Sequence, residues 1–183
     1  IKDFVQSGIT VYTAIETQKA IKDSTGERTV AIQPLREYQI GSFTVTPFNV
    51  PHESEIECYG YLIKHEEMGK LLFLTDLEYC KYNFSGLQVE HVMCECNYSM
   101  EFVDRNEPNY EHRLRGHMSL DTALKFISTN DNPALRNVVL IHLSDKSGNP
   151  TLFKQKVVET LKYDTEVYVA EKGLEVDFNL YPF

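Results

Sequence analysis

The stretch "NVVLIHLSD" (137–145) constrains this chain most. Four apolar residues, Val138 to Ile141, form a buried strand, and the run then stops at His142 with Ser144 and Asp145 behind it. Two other segments share the grammar. "FTVTPFNVPHE" is a strand that ends at His52, and "KLLFLTD" is an apolar strand that ends at Asp76. In each case a side chain competent to bind a metal stands where a buried strand leaves its sheet. Loops at strand ends are where layered α/β folds build their sites. Two imidazoles and a carboxylate suit zinc or another borderline divalent ion. Taken singly, a strand-end histidine is an ordinary edge residue and "TD" an ordinary turn. The triple coincidence is what points to a site.

The rest of the chain supplies the frame. The 183 residues fit one domain, 1–183, and 42% of them are apolar, enough for a core. No run approaches 18 apolar residues, so no membrane span is predicted, and there is no signal-peptide pattern. The net charge of −9 argues against a surface that coats phosphates, although it leaves room for an enzyme that grips nucleic acid locally. Cys58, Cys80, Cys94 and Cys96 lack C-x-x-C spacing. Cys94 and Cys96 alternate within an apolar run and read as buried free thiols, which fits a reducing cytoplasm.

The opening "IKDFVQSG" reads as the last turns of a helix closed by Gly8. "ITVYTA" is a short strand, and a helical stretch follows from Ala14. Residues 36–52 read as two strands joined at Gly41, and 59–75 as a hairpin turning at 66–69. Residues 98–104 and 108–114 are predicted as short helices, with Pro108 opening the second. Ser119 caps a helix whose Leu120, Ala123, Leu124 and Ile127 share a face. Pro150 opens another, and "EVYVA" and "LEVDF" close the chain as strands. Early strands followed by strand–helix alternation predict an α/β domain with helices packed on mixed sheets.

Two further residues complete the pattern. "GHMS" puts His117 just before the cap Ser119, and "MCECN" puts Glu95 at a strand end, as a partner able to hold a histidine in one tautomer. The order "H…GYLI…LLFLTD…ECN…GHMS…LIHLSD" resembles the metallo-β-lactamase superfamily. It is most similar to the phosphodiesterase branch that includes ribonuclease Z and the YycJ/WalJ-like exonucleases.

The resemblance implies an αββα sandwich of mixed β-sheets flanked by helices. It also implies a hydrolase with two divalent metal ions, zinc or manganese. His52 would bind one ion, His142 the other, and Asp76 both. His117 would be the general acid and Glu95 its orienting partner. His65, His91 and His112 match no position of the pattern and are expected at the surface. Glu53 follows His52 where relatives often have Asp, and Leu77-Glu78 follow Asp76 where Thr-Gly is common.

The superfamily's H-x-H-x-D-H motif does not occur in this sequence. In relatives it lies just upstream of a stretch like "IKDFVQSGITVYT". The resemblance therefore implies that the N-terminal part of the fold lies outside these residues. Metal binding by this chain is then expected to be weak or partial, and the exposed sheet edge is expected to favour self-association. The substrate is expected to be a phosphodiester or a nucleic acid. Hydrolysis of a lactone or thioester, or a non-catalytic interaction module, are the alternatives.

Overall fold

Strand direction decides where the candidate residues can meet. The computed structural model describes residues 2–25, 28–53 and 57–181. Seven strands form one sheet in chain order: β3 (Tyr38–Ile40), β4 (Phe43–Val50), β5 (Cys58–His65), β6 (Gly69–Leu74), β7 (His91–Glu95), β8 (Asn137–Ile141) and β9 (Glu166–Val169). The first four pair antiparallel and β6 to β9 pair parallel. Strands β4 and β6 are both antiparallel to β5, so β4, β6, β7, β8 and β9 all run the same way. Their C-terminal ends therefore lie at one end of the sheet, and His52, Asp76, Glu95 and His142 all leave it there.

Both faces of the sheet are covered. Helices α4 (Leu120–Asn130) and α5 (Pro150–Thr160) pack on one face. There Leu72, Leu74, Val92, Cys94, Val138 and Leu140 meet Ala123, Phe126, Ile127, Phe153 and Val157 in a continuous core. Full burial of each large aliphatic or aromatic side chain contributes about 1.5–3 kcal/mol. On the opposite face Ala14 and Ile32 pack on Tyr59, flanked by Tyr12, Tyr38 and Tyr61. They come from a second, parallel pair of strands, β1 (Val11–Ala14) and β2 (Thr29–Ile32), on which α2 (Ile15–Thr25) packs. The short α1 (Lys2–Gln6) precedes them, and Gly8 takes the positive φ that ends it.

Local chemistry explains several boundaries. The Ser119 hydroxyl accepts from the Thr122 N–H, and Asn149 Oδ1 accepts from the Leu152 N–H at 3.0 Å, so each helix starts at a side-chain cap. Pro47 sits inside β4 without a ladder defect. Its carbonyl accepts from Leu35 N–H, away from β5, so its missing N–H faces the side where β3 has already ended. Gly60 lies against the Phe48 ring, where an added Cβ would come within 2.5 Å.

Three sequence expectations shift. Residues 98–104 form turns, and the helix expected over 108–114 is α3 (Tyr110–Gly116). "LEVDF" forms no strand among the described residues, and its Phe178 ring stacks instead on His91 at 4.5 Å. His91, expected at the surface, is fully buried. All four cysteines are free, with Cys94 and Cys96 buried as expected. No helix among the described residues is long and apolar enough to cross a membrane.

His91 gives this fold a pH-dependent element. Nε2 donates to the Met68 carbonyl at 2.9 Å and Nδ1 accepts from the Asn137 amide at 3.0 Å, which is the bonding of a neutral ring. Burial pushes the imidazole below its usual range, only partly opposed by the bond to Met68. The folded value thus lies below the unfolded one of about 6.5. The associated stability is complete above that pH and is lost as pH falls through the folded value. Denaturant unfolding of the metal-free chain at pH 8 and pH 5.5 should show a larger acid loss for the wild type than for His91→Gln.

Candidate metal centre

The sequence sets Asp76 and His142 one step past their strands, and the backbone there is unusual. Asp76 has φ 52° and His142 φ 57°, two of the four non-glycine residues with positive φ among the described residues. This left-handed region costs a residue with a Cβ about 1–2 kcal/mol. The two turns bring the side chains to face each other. Asp76 Oδ1 lies 3.3 Å from His142 Nδ1, and Thr75 Oγ1 lies 3.4 Å from the same nitrogen.

Between them, at the end of β7, stands Glu95, whose side chain is wholly buried. Its Oε2 accepts the Leu77 N–H at 3.2 Å. Its Oε1 lies 2.7 Å from His117 Nδ1 and 3.5 Å from His142 Nδ1. A carboxylate only accepts, so His117 donates from Nδ1 and keeps Nε2 for other partners. That bond to Glu95 raises the His117 pKa above the usual histidine range, against the opposing effect of burial. The rings of His117 and His142 are 5.0 Å apart, edge to face.

His117 reaches Glu95 because of a backbone seam. Asn97 N–H donates to the Met118 carbonyl at 2.9 Å, and Leu120 N–H to the Tyr98 carbonyl at 2.7 Å. The chain leaving β7 is thereby laid alongside the link between α3 and α4. Asn97 also fixes the turn of His142. Its side chain donates to the His142 carbonyl at 2.7 Å, and its own carbonyl accepts from Ser144 N–H at 2.8 Å. Gly148 closes against this turn, where a Cβ would sit 2.6 Å from the Ser144 carbonyl. Asn97 was not singled out from the sequence. Its only signal was a polar side chain two residues past the end of a buried strand.

The structure brings Asp76, Glu95, His117 and His142 together with one ligand atom from each within 4.8 Å of the others. His52 stands just outside this group, with its ring 6.3 Å from that of His117. His112 is exposed, as expected, and also borders this site: its ring is 5.7 Å from His117 and 6.3 Å from His52. Its Nδ1 contacts the Glu53 carboxylate. His65 is remote from the cluster in sequence and lies beside Ser42 and Phe43.

The donor set fits a divalent cation. Two atoms bound at about 2.0–2.1 Å to one tetrahedral ion stand about 3.3 Å apart, which is the Asp76–His142 separation. Both oxygens of Glu95 already have protein donors, so Asp76 and His142 are the more open members of the group.

Solved structures share this architecture. YhfI of Bacillus subtilis, a metallo-β-lactamase fold protein, superposes with a TM-score of 0.68 and 19% identity, over 94% of this chain and 68% of that one. An isothiocyanate hydrolase from Delia radicum gut bacteria gives 0.65 and 15%, over 94% and 68%. A diphosphatase of the PhnP family gives 0.58 and 14%, over 89% of this chain and 55% of that one. No protein-family model and no curated protein sequence matches the chain.

The positive φ at Asp76 makes a test that separates folding from binding. Asp76→Gly removes a Cβ from the left-handed region and a carboxylate from beside Glu95. The metal-free variant should be more stable by about 1 kcal/mol, which raises the melting temperature by about 2–4 °C for a chain of this size. Zinc affinity should fall at least about tenfold with the loss of this carboxylate from the donor group. Thermal melts and zinc titration read the two effects separately.

Proposed function

We propose that this chain, which has the metallo-β-lactamase fold, is part of a metal-dependent hydrolase of phosphodiester bonds. The observation that carries the reading is the Glu95–His117 pair, bonded at 2.7 Å immediately beside the Asp76–His142 pair. Hydrolysis of a phosphodiester expels an alkoxide, which leaves fastest when a proton donor is already aligned. A buried carboxylate that fixes His117 by Nδ1 supplies that alignment and directs Nε2 to the departing oxygen.

In this reading His52, Asp76 and His142 hold the metal, with Asp76 shared between two ions, and His117 is the general acid. Divalent ions such as zinc or manganese, when bound, would supply Lewis-acid stabilisation of phosphoryl charge and lower the pKa of water. Glu95 orients His117 and contributes no ligand, since its oxygens are occupied by Leu77 N–H and His117. Asn97 holds the His142 turn in place.

Ligand counting limits what the 183 residues do alone. A catalytic zinc needs at least three protein ligands, and three side chains are here divided over two ions. Further ligands have to come from outside these residues, from a longer chain or from a second copy paired along the sheet edge. Metal in the chain as given should be weakly held and removed by chelator, with hydrolysis near background.

A second reading, hydrolysis of another bond at the same centre, has support from the isothiocyanate hydrolase among the structural neighbours. The fold alone does not choose between them. Turnover of a generic phosphodiester, a lactone and a thioester, together with metal content by mass spectrometry, distinguishes the two. In the form that turns over, His117→Ala should lower turnover of the phosphodiester about 10²–10⁴-fold with metal content retained. Loss of metal equal to that of His142→Ala would make His117 a ligand and overturn the assignment.

A further inference from the structure

We propose that the cleft beside His142 binds one organic group of the diester, and that this group is neutral and rich in hydroxyls, such as a pentose, rather than a chain carrying a further phosphate. The proposal rests on the phosphodiesterase reading above and names the class of substrate. The cleft has a volume of about 770 Å³, within the range of about 300–1,000 Å³ usual for small-molecule sites. His142 belongs both to its lining and to the metal cluster, so a group attached to phosphorus at the cluster has the cleft next to it.

Three segments build the cleft. The turn after β8 is fixed by Asn97 and closes at Gly148, and α5 starts from its Asn149 cap. Beyond β9, Ala170 N–H still donates to the Leu140 carbonyl at 2.8 Å. Leu174 N–H then donates to the Glu171 carbonyl at 3.1 Å, closing a turn through Gly173 at φ 89°. Leu143, Val169 and Leu174 give the cleft apolar lining, suited to the carbon face of a ring.

The charges select the occupant. Asp145 from the turn, Lys154 from α5 and Glu171 from beyond β9 line the same cleft. Each is exposed, and among the described residues none of the three side chains has a hydrogen bond or an ion pair. Lys146, next to Asp145, is instead held to Glu107 at 3.5 Å. Singly these are ordinary solvated charges. Converging on one cleft, they set what can fill it. A carboxylate only accepts and an ammonium only donates, whereas a hydroxyl does both. A polyhydroxylated group therefore satisfies all of them. A second phosphate satisfies Lys154 alone, against the repulsion of both carboxylates.

Four probes are titrated into the chain with excess zinc: methyl riboside, dimethyl phosphate, the methyl phosphodiester of methyl riboside at its primary hydroxyl, and that compound with a second methyl phosphodiester on a secondary hydroxyl. Dissociation constants are read together with the backbone amide resonances of Leu143, Val169 and Leu174. The riboside diester should bind about tenfold more tightly than dimethyl phosphate, the size expected for one added hydrogen bond to a charged group, and should move these amides. The second phosphodiester should cancel that gain. Asp145→Asn with Glu171→Gln should make the doubly charged probe the tightest, a change of order that a folding defect does not produce. Lys154→Met should weaken both riboside diesters and leave dimethyl phosphate unchanged. Equal binding of dimethyl phosphate and the riboside diester overturns the role of the cleft and leaves the phosphodiesterase reading standing. Tighter binding of the doubly charged probe by the wild type overturns the neutral group. Movement of these amides by methyl riboside, with no diester bound, removes the phosphodiesterase reading and supports the preference of the cleft for hydroxyls. No binding of any probe overturns both.

Discussion

The arrangement depends on how one buried carboxylate is satisfied. Glu95 ends β7 with no exposed surface, and an unpaired charge there would cost several kcal/mol. Its partners come from three places in the chain: Leu77 N–H from the loop after β6, His117 from the link between α3 and α4, and His142 from the end of β8. Satisfying Glu95 therefore docks the loop of Asp76 and the segment of His117 onto the central strands. The same contacts that remove an energetic liability of the fold assemble the site.

The strained residues fall where this logic places them. A parallel strand pair with Leu74 beside Cys94 and Glu95 beside Ile141 leaves Thr75 and His142 as the next residues at the sheet's end. An extended continuation would carry Asp76 and His142 away from each other along their strands. The left-handed backbone at each redirects the chain, and the two side chains face each other at 3.3 Å. Asn97 stabilises one of these turns by bonding to the His142 carbonyl. Backbone strain held in place by its surroundings is characteristic of functional sites, and here it coincides with two of the residues that the sequence marks.

The strand ends were legible because the signal is local: an apolar run, then a ligand-type side chain. Helix caps at Ser119 and Asn149 belong to the same local class, although only Ser119 was read as one. Other residues depend on distant partners. His91 is buried because Asn137 on β8 and Phe178 near the end of the chain meet its ring, contacts 46 and 87 residues away that no window around His91 contains. "LEVDF" has strand composition, yet a strand exists only with a neighbour to bond, and no described strand lies beside it. The place of His112 turned on where α3 runs. With the helix at 110–116 rather than 108–114, His112 sits two residues into it and reaches Glu53. The motif set marked Asp76, Glu95, His117 and His142, which the structure gathers, and His52, which stands just outside them, but was silent on the His112–Glu53 pair, which lies outside the motifs.

The charge pattern explains why a cluster of this kind is better suited to a cation than to structural support. Asp76 and Glu95 meet His142 and His117 here, not lysine or arginine. A structural ion pair at a half-exposed position would gain more from a permanently charged arginine, which pairs carboxylates in two places and does not lose its charge. Histidine gives up that advantage. What it offers instead is a neutral nitrogen lone pair, and that is the property a divalent ion requires. Arginine is not absent from the neighbourhood, since Arg113 is bonded to Glu107 and Ser147 behind α3. The division is thus spatial. Permanent cations brace the loops behind the site, and imidazoles face the carboxylates within it.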